Sequence, residues 1–230
     1  MQNKPTVILV VGHNPKAKGA SNSETIPRVN EYDYNKEIAE MIGPDISEQT
    51  PNIDVQIISG DMSNTRKHNM INDIAKTKNV VLVVDMHLNA GSPTAEYHLI
   101  KYARNSVRGE IAAKKFSHGF STASYFGTSA PGLSTIPAHW PGMKFAGCFP
   151  TDRRPPLNQR GEQYAKDQWK YNGSEVLFNT NPPAVITEPF FISNTRFMTK
   201  MLWQENKEIF SKIMADAIIA YCFEIECISW

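Results

Sequence analysis

Two histidines and one glutamate stand where short apolar runs end. Val7-Ile8-Leu9-Val10-Val11 leads into Gly12-His13-Asn14, and Val80-Val81-Leu82-Val83-Val84 leads into Asp85-Met86-His87-Leu88-Asn89-Ala90. Pro183-Ala184-Val185-Ile186-Thr187 leads into Glu188-Pro189-Phe190. Apolar runs of this length read as strands buried on both faces. Polar groups at the ends of such strands are where sites form in α/β sheets. Imidazole and carboxylate together suit zinc, which in a catalytic site takes three protein ligands and leaves a fourth position for water.

His13 and His87 are the best-placed histidines, although either alone is weak evidence and reads equally well as a hydrogen-bonded loop residue. The third ligand is expected to be a carboxylate near the first histidine, and Glu24 and Glu31 are both available. Glu31 opens a helix in Glu31-Tyr32-Asp33-Tyr34-Asn35, which holds a side chain more firmly than an open loop; its structural alternative is to complement the helix dipole. Glu24 lies mid-loop as a solvated charge. Glu188 ends a buried run, where a carboxylate is costly without a partner or a job. Beside a metal-activated water it is suited to general acid–base work; the structural alternative is a salt bridge to an arginine. His68, in an Arg-Lys-His run, reads as part of a solvated helix face. His98 falls on a strand near the His87 loop, His118 closes a helix, and His139, beside Trp140, reads equally as a substrate contact or as a surface residue.

The rest of the chain must hold these groups in place. Its 230 residues, 41% apolar and 20% charged with a net charge of +1, describe an ordinary globular protein. Nothing in that balance asks for a nucleic-acid partner. Three scattered cysteines make neither a disulfide framework nor a CxxC pair. The first apolar run has five residues, short of the roughly 7–15 of a signal peptide. The C-terminal helix carries Lys212, Asp216 and Glu224 and is not a membrane span. Synthesis in the cytoplasm without a signal peptide is therefore the expectation.

Periodicity predicts strands over 7–11, 53–58, 80–86, 95–102, 175–178 and 183–187. It predicts helices over 31–41 (ended by Pro44), 63–78 (capped by Asp61 or Ser63, with Met70, Ile71 and Ile74 inward), 106–116, 159–169 and 205–221. In the last helix Phe210, Ile213, Met214, Ala217 and Tyr221 share a face. The alternating order predicts an α/β fold: a single domain over 1–230 with a mostly parallel twisted central sheet and helices on both faces. Residues 119–156, rich in Gly, Pro, Ser and aromatics, read as a long structured excursion whose aromatics either form part of a substrate groove or make a small satellite core that pins the loop down.

Taken together, these residues resemble the zinc-dependent N-acetylmuramoyl-L-alanine amidases, the group of bacterial cell-separation amidases and phage endolysins. The family's strand and Gly-His pair is matched by Val10-Val11-Gly12-His13. Its Glu-x-Asp-x-Asn helix start is matched by Glu31-Tyr32-Asp33-Tyr34-Asn35, which settles the choice against Glu24. Its His-x-Asn-Ala segment is matched by His87-Leu88-Asn89-Ala90. Its Pro-Ala-Val-x-x-Glu stretch, followed by Phe-x-Ser-Asn, is matched by Pro183 to Glu188 and by Phe191-Ile192-Ser193-Asn194. The chain departs from the pattern at Asn14 and at Pro189-Phe190, where the family carries glycine, and in the 119–156 excursion.

The resemblance implies zinc held by His13, Glu31 and His87, with Glu188 as general base and acid. The reaction would be hydrolysis of the amide joining N-acetylmuramic acid to the L-alanine of the peptidoglycan stem. Asn89, His139 and Trp140 are the candidate substrate contacts; an amide does not titrate, so Asn89 is no proton carrier. Peptidoglycan is the implied partner, with no protein partner, and the cell wall is the implied place of action. The lack of a signal sequence and of a wall-binding module favours a phage or prophage endolysin. Another zinc amide hydrolase, such as a carboxypeptidase or acyl-amino-acid deacylase, is the nearest alternative, and a non-catalytic wall-binding protein the more distant one.

Overall fold

The computed structural model describes residues 4–91, 93–95, 97–122, 148–151 and 175–228. Among the described residues six strands form one sheet: β1 (Pro5–Val11), β4 (Asp54–Ile58), β5 (Asn79–Met86), β6 (Leu99–Ala103), β7 (Cys148–Thr151) and β8 (Ala184–Glu188), in the spatial order β4-β1-β5-β8-β6-β7. The first four in that order run parallel, β6 is antiparallel to β8, and β7 is parallel to β6. A short antiparallel ribbon of β2 (Ser21–Asn22) and β3 (Val29–Asn30) precedes the first helix. The mostly parallel sheet is as expected from the apolar runs.

Every residue of β1 is buried, because helices cover both faces. On one face Val7, Leu9, Val11, Leu82, Val84 and Val185 join a core shared with α1 (Glu31–Gln49), α3 (Val107–Thr122) and α6 (Gln204–Glu224). The Tyr221 hydroxyl donates to the Val81 carbonyl at 2.8 Å and ties α6 to the sheet. On the other face Ile8, Val10, Val83 and Ile186 pack with Ile71 of α2 (Asn64–Thr77) and Val176 and Leu177 of α4 (Val176–Asn179). A further short helix, α5 (Thr195–Met201), follows the β8 loop. No helix among the described residues is long and apolar enough to cross a membrane.

Four expectations need correction. The first helix does not end before Pro44 but runs through it to Gln49. Ile38, Ile42 and Ile46 are all fully buried, so the apolar stripe continues across the proline and its burial outweighs the lost hydrogen bond. In α2 the buried residues are Lys67, His68 and Ile71, whereas Met70 faces solvent. His68 is thus not on a solvated face: α2 leans its N-terminal half over the end of β1. The stretch at 175–178 is a helical turn rather than a strand. A short apolar run does not distinguish the two by periodicity alone. Of the structured excursion expected over 119–156, the described residues are the end of α3 and β7, which pairs with β6, and the rest lies outside the described residues. The helix expected over 159–169 lies outside the described residues.

Candidate metal centre

The strand ends and one helix start converge at the C-terminal edge of the parallel strands. His13 follows β1 and His87 follows β5, while Glu31 opens α1. The start of α1 is fixed by its cap: the Asn30 side chain accepts from the Asp33 amide at 2.9 Å and donates to the Asp33 carboxylate at 2.6 Å. Asn35, one turn after Glu31, donates to the Met86 carbonyl at 3.2 Å and binds the helix to the end of β5. The Glu-x-Asp-x-Asn spacing therefore has a mechanical sense: Asp33 completes the cap, and Glu31 and Asn35 share the face turned to the strand ends.

Glu31 is 3% exposed, and each of its oxygens takes two partners. One lies 2.9 Å from His87 Nδ1 and accepts from the Leu88 amide at 3.0 Å. The other lies 3.1 Å from His13 Nε2 and accepts from the Ala20 amide at 3.1 Å. Burial alone would raise the Glu31 pKa, but its bonds with His13 and His87 hold it down at about 2. Burial opposes charge on His87, yet the carboxylates of Asp85 and Glu31 push it up to about 10. Glu24 is exposed and accepts from Thr195 Oγ1, away from this cluster.

The donor atoms of His13, Glu31 and His87 all lie within 4.8 Å of one another. A small ion bridging such donors has bonds of about 2.0–2.1 Å, and Glu31 reaches the two histidines through different oxygens, at 2.9 and 3.1 Å. Behind the His87 ring, Asp85 Oδ2 stands 3.4 Å from Nε2, the carboxylate–histidine pairing that orients metal-binding imidazoles. Two glycines leave the room. A β-carbon on Gly12 would come within 2.5 Å of His87 Cε1, and one on Gly19 within 2.5 Å of His13 Cδ2 and 2.6 Å of Glu31 Oε2. The residues fit a metal in donor chemistry and in space.

Gly19 also has φ +76°. Gly19→Ala is expected to cost about 1–2 kcal/mol from the left-handed backbone alone and to push His13 away from Glu31. Thermal melting and zinc stoichiometry check this; a variant equal to the parent in both would show that the cradle is not tight.

A cavity of about 370 Å³ adjoins the triad, lined by Asn14, Asn64, Lys67, His68 and Asp85 as well as by the two histidines. Lys67 is buried in its wall and donates to the carbonyls of Val11, at 2.6 Å, and of His13. Burial pulls the Lys67 ammonium below its usual range, and the Asp85 charge opposes that. Asn14, where a glycine was the expectation, accepts from the amides of Lys16 and Ala17, both at 2.9 Å, and turns the loop itself.

Glu188 ends β8 beside His87, whose amide donates to the Thr187 carbonyl at 2.9 Å. Strand alternation puts Glu188 on the same face as Ile186, and His87 on the same face as Asp85. Its ion-pair partner is not an arginine but Lys101 of β6, whose Nζ lies 2.7 Å from Oε1; both side chains are largely buried. Past the strands, the Asn89 amide donates to the Phe190 carbonyl and the Ile192 amide to the Asn89 carbonyl, at 2.9 and 2.8 Å. The Gly91 amide donates to Ser193 Oγ, and Asn194 caps α5 while donating to the Ala95 carbonyl. The Phe-x-Ser-Asn segment thus secures the His87 loop.

Of the other residues singled out, Asn89 turns its side-chain oxygen to its neighbour's amide at 2.8 Å. His98 is buried against Ser117 and Phe120 in the core, and His118 is exposed near the end of α3. His139 and Trp140 lie outside the described residues. Asp85, Lys67, Lys101 and Gly19 escaped the sequence reading. For Asp85 a signal existed, since it ends an apolar run just as Glu188 does.

No protein-family model matches the chain, and no curated protein matches it at a significant level. Solved structures do. An N-acetylmuramoyl-L-alanine amidase from Clostridium difficile 630 is similar over 96% of this chain and 98% of its own, with a TM-score of 0.68 and 18% identity. The catalytic domain of CwlV, an N-acetylmuramoyl-L-alanine amidase from Bacillus (Paenibacillus) polymyxa var. colistinus, is similar over 95% of this chain and 98% of its own, with a TM-score of 0.64 and 18% identity. The catalytic domain of the CD27L endolysin, which targets Clostridia difficile, is similar over 94% of this chain and 97% of its own, with a TM-score of 0.60 and 18% identity. The chain has the fold of these amidase domains along nearly its whole length.

Proposed function

We propose that the chain is a zinc-dependent N-acetylmuramoyl-L-alanine amidase, cleaving the amide between the lactyl group of N-acetylmuramic acid and the L-alanine of the peptidoglycan stem. The observation that carries this is the His13, Glu31 and His87 cluster at the strand ends of an amidase fold. Zinc held by these three residues would polarise the scissile carbonyl and lower the pKa of a water. Glu188 takes the proton of the attacking water and delivers it to the departing alanine nitrogen. Lys101 holds Glu188 Oε1, which leaves the other carboxylate oxygen for the water. Asp85 and the Leu88 and Ala20 amides keep His87 and Glu31 in orientation. Asn89, His139 and Trp140 remain the proposed substrate contacts. The setting we favour is a phage or prophage lysin acting on a host wall; the endolysin domain among the similar structures supports it.

The test is product analysis on purified peptidoglycan. An amidase releases stem peptides with a new free alanine amine and creates no new reducing sugar ends. Chelation is expected to stop the release and added zinc to restore it. Release of C-terminal residues instead would make the chain a carboxypeptidase, and intact sacculi in the presence of zinc would overturn the proposal.

A further inference from the structure

His13 has φ 63°, in the left-handed region that residues with a β-carbon avoid. Such a conformation persists only where its surroundings over-determine it. Here the carbonyls on either side of Gly12, those of Val11 and His13, both converge on Lys67 Nζ. Lys67 reaches them from α2, far along the chain, and is 2% exposed. A lysine on a surface helix ordinarily extends its ammonium to water. This one turns inward at the cost of desolvating a charge, and its donors go to the backbone that carries the first histidine. Across the same cavity stands Asp85, whose carboxylate also faces the His87 ring.

We propose that Lys67 is a positioning residue for the metal centre: by clamping the Val11 and His13 carbonyls, it sets the left-handed turn that aims the His13 ring at Glu31. The proposal rests on the metal reading of the triad. Lys67 touches neither metal nor substrate in this role. It acts on ligand geometry, as outer-shell partners of metal ligands do, and losing such a partner typically weakens metal binding about 10–100-fold.

Zinc affinity is measured by competition with a chelating dye for the parent, Lys67→Met and Lys67→Arg, and the cobalt-loaded proteins are compared by visible absorption. Lys67→Met keeps the length of the side chain and removes the donors. It is expected to bind zinc at least tenfold more weakly and to change the cobalt spectrum, which a mere loss of stability does not do to the folded fraction. Lys67→Arg, which again offers donors to both carbonyls, is expected to recover most of the affinity. A Met variant with parental affinity and spectrum overturns the clamp while leaving the metal centre intact. A parent that takes up no zinc overturns the metal reading, and the clamp with it. If the Met variant does not fold, Lys67→Ala, which has no donor and leaves room for water, decides in its place: parental affinity there overturns the proposal.

Discussion

Glu188→Gln is expected to leave the fold and bound zinc in place while lowering kcat about 10²–10⁴-fold, the usual contribution of a general acid–base group. The amide keeps the size of the side chain and a hydrogen-bonding oxygen for Lys101, but it cannot carry a proton from water to the leaving nitrogen. The competing role is structural, because Glu188 and Lys101 form a largely buried pair across β8 and β6. Breaking a buried pair is strongly destabilising, since it strands the other charge. The two roles separate in measurement. A catalytic Glu188 gives a fall in kcat for the folded fraction whatever happens to the melting temperature; a purely structural one gives a fall in melting temperature with parental turnover in the folded fraction. Parental rates on peptidoglycan would remove Glu188 from the mechanism.

His87→Ala and His13→Ala are each expected to lose tightly held zinc, and activity with it, because each removes one of three ligands. Elemental analysis after dialysis reads this directly, and full occupancy in both variants would sink the ligand assignment. The two differ in what else they disturb. His87→Ala deprives Glu31 Oε1 of a partner at 2.9 Å and leaves it the Leu88 amide, a loss of about 1.5–3 kcal/mol for a hydrogen bond to a charged group. His13 is more exposed and sits at φ 63°. Glycine enters that conformation freely, so His13→Gly relieves the backbone while losing the 3.1 Å contact with Glu31, and it is expected to shed zinc with a smaller fall in melting temperature than His87→Ala. In its proposed role as a metal ligand, His13 holds a costly backbone conformation, stability given up for function, and this variant exposes the exchange.

The two histidines, Glu31 and Glu188 were legible because each lies at a discontinuity in the pattern: a polar donor where an apolar run stops, or a carboxylate where a capped helix begins. β1, β5 and β8 were legible for the same reason. Burial on both faces leaves an apolar signal that needs no partner to interpret. Other features depend on partners distant in the chain. Nothing in Arg66-Lys67-His68 distinguishes a solvated face from one that leans over the end of β1, because the difference lies in where α2 sits. Lys101, between Ile100 and Tyr102, reads as the polar side of an alternating strand; that its neighbour would be Glu188 follows from β8 lying beside β6. Pro44 is a strong local stop, yet three buried isoleucines on α1 overrule it.

β8 follows both β6 and β7 in the chain but lies between β5 and β6 in the sheet. The proposed metal ligands follow β1 and β5 or open α1, and all three are made before β6. The proposed base arrives only when β8 inserts, and until then β5 presents an open edge. Pairing between strands distant in sequence is the slow part of folding such topologies. The closing of the sheet by β8 therefore completes the proposed site in one step: it brings Glu188 and, through the Thr187 carbonyl, fixes the backbone of His87.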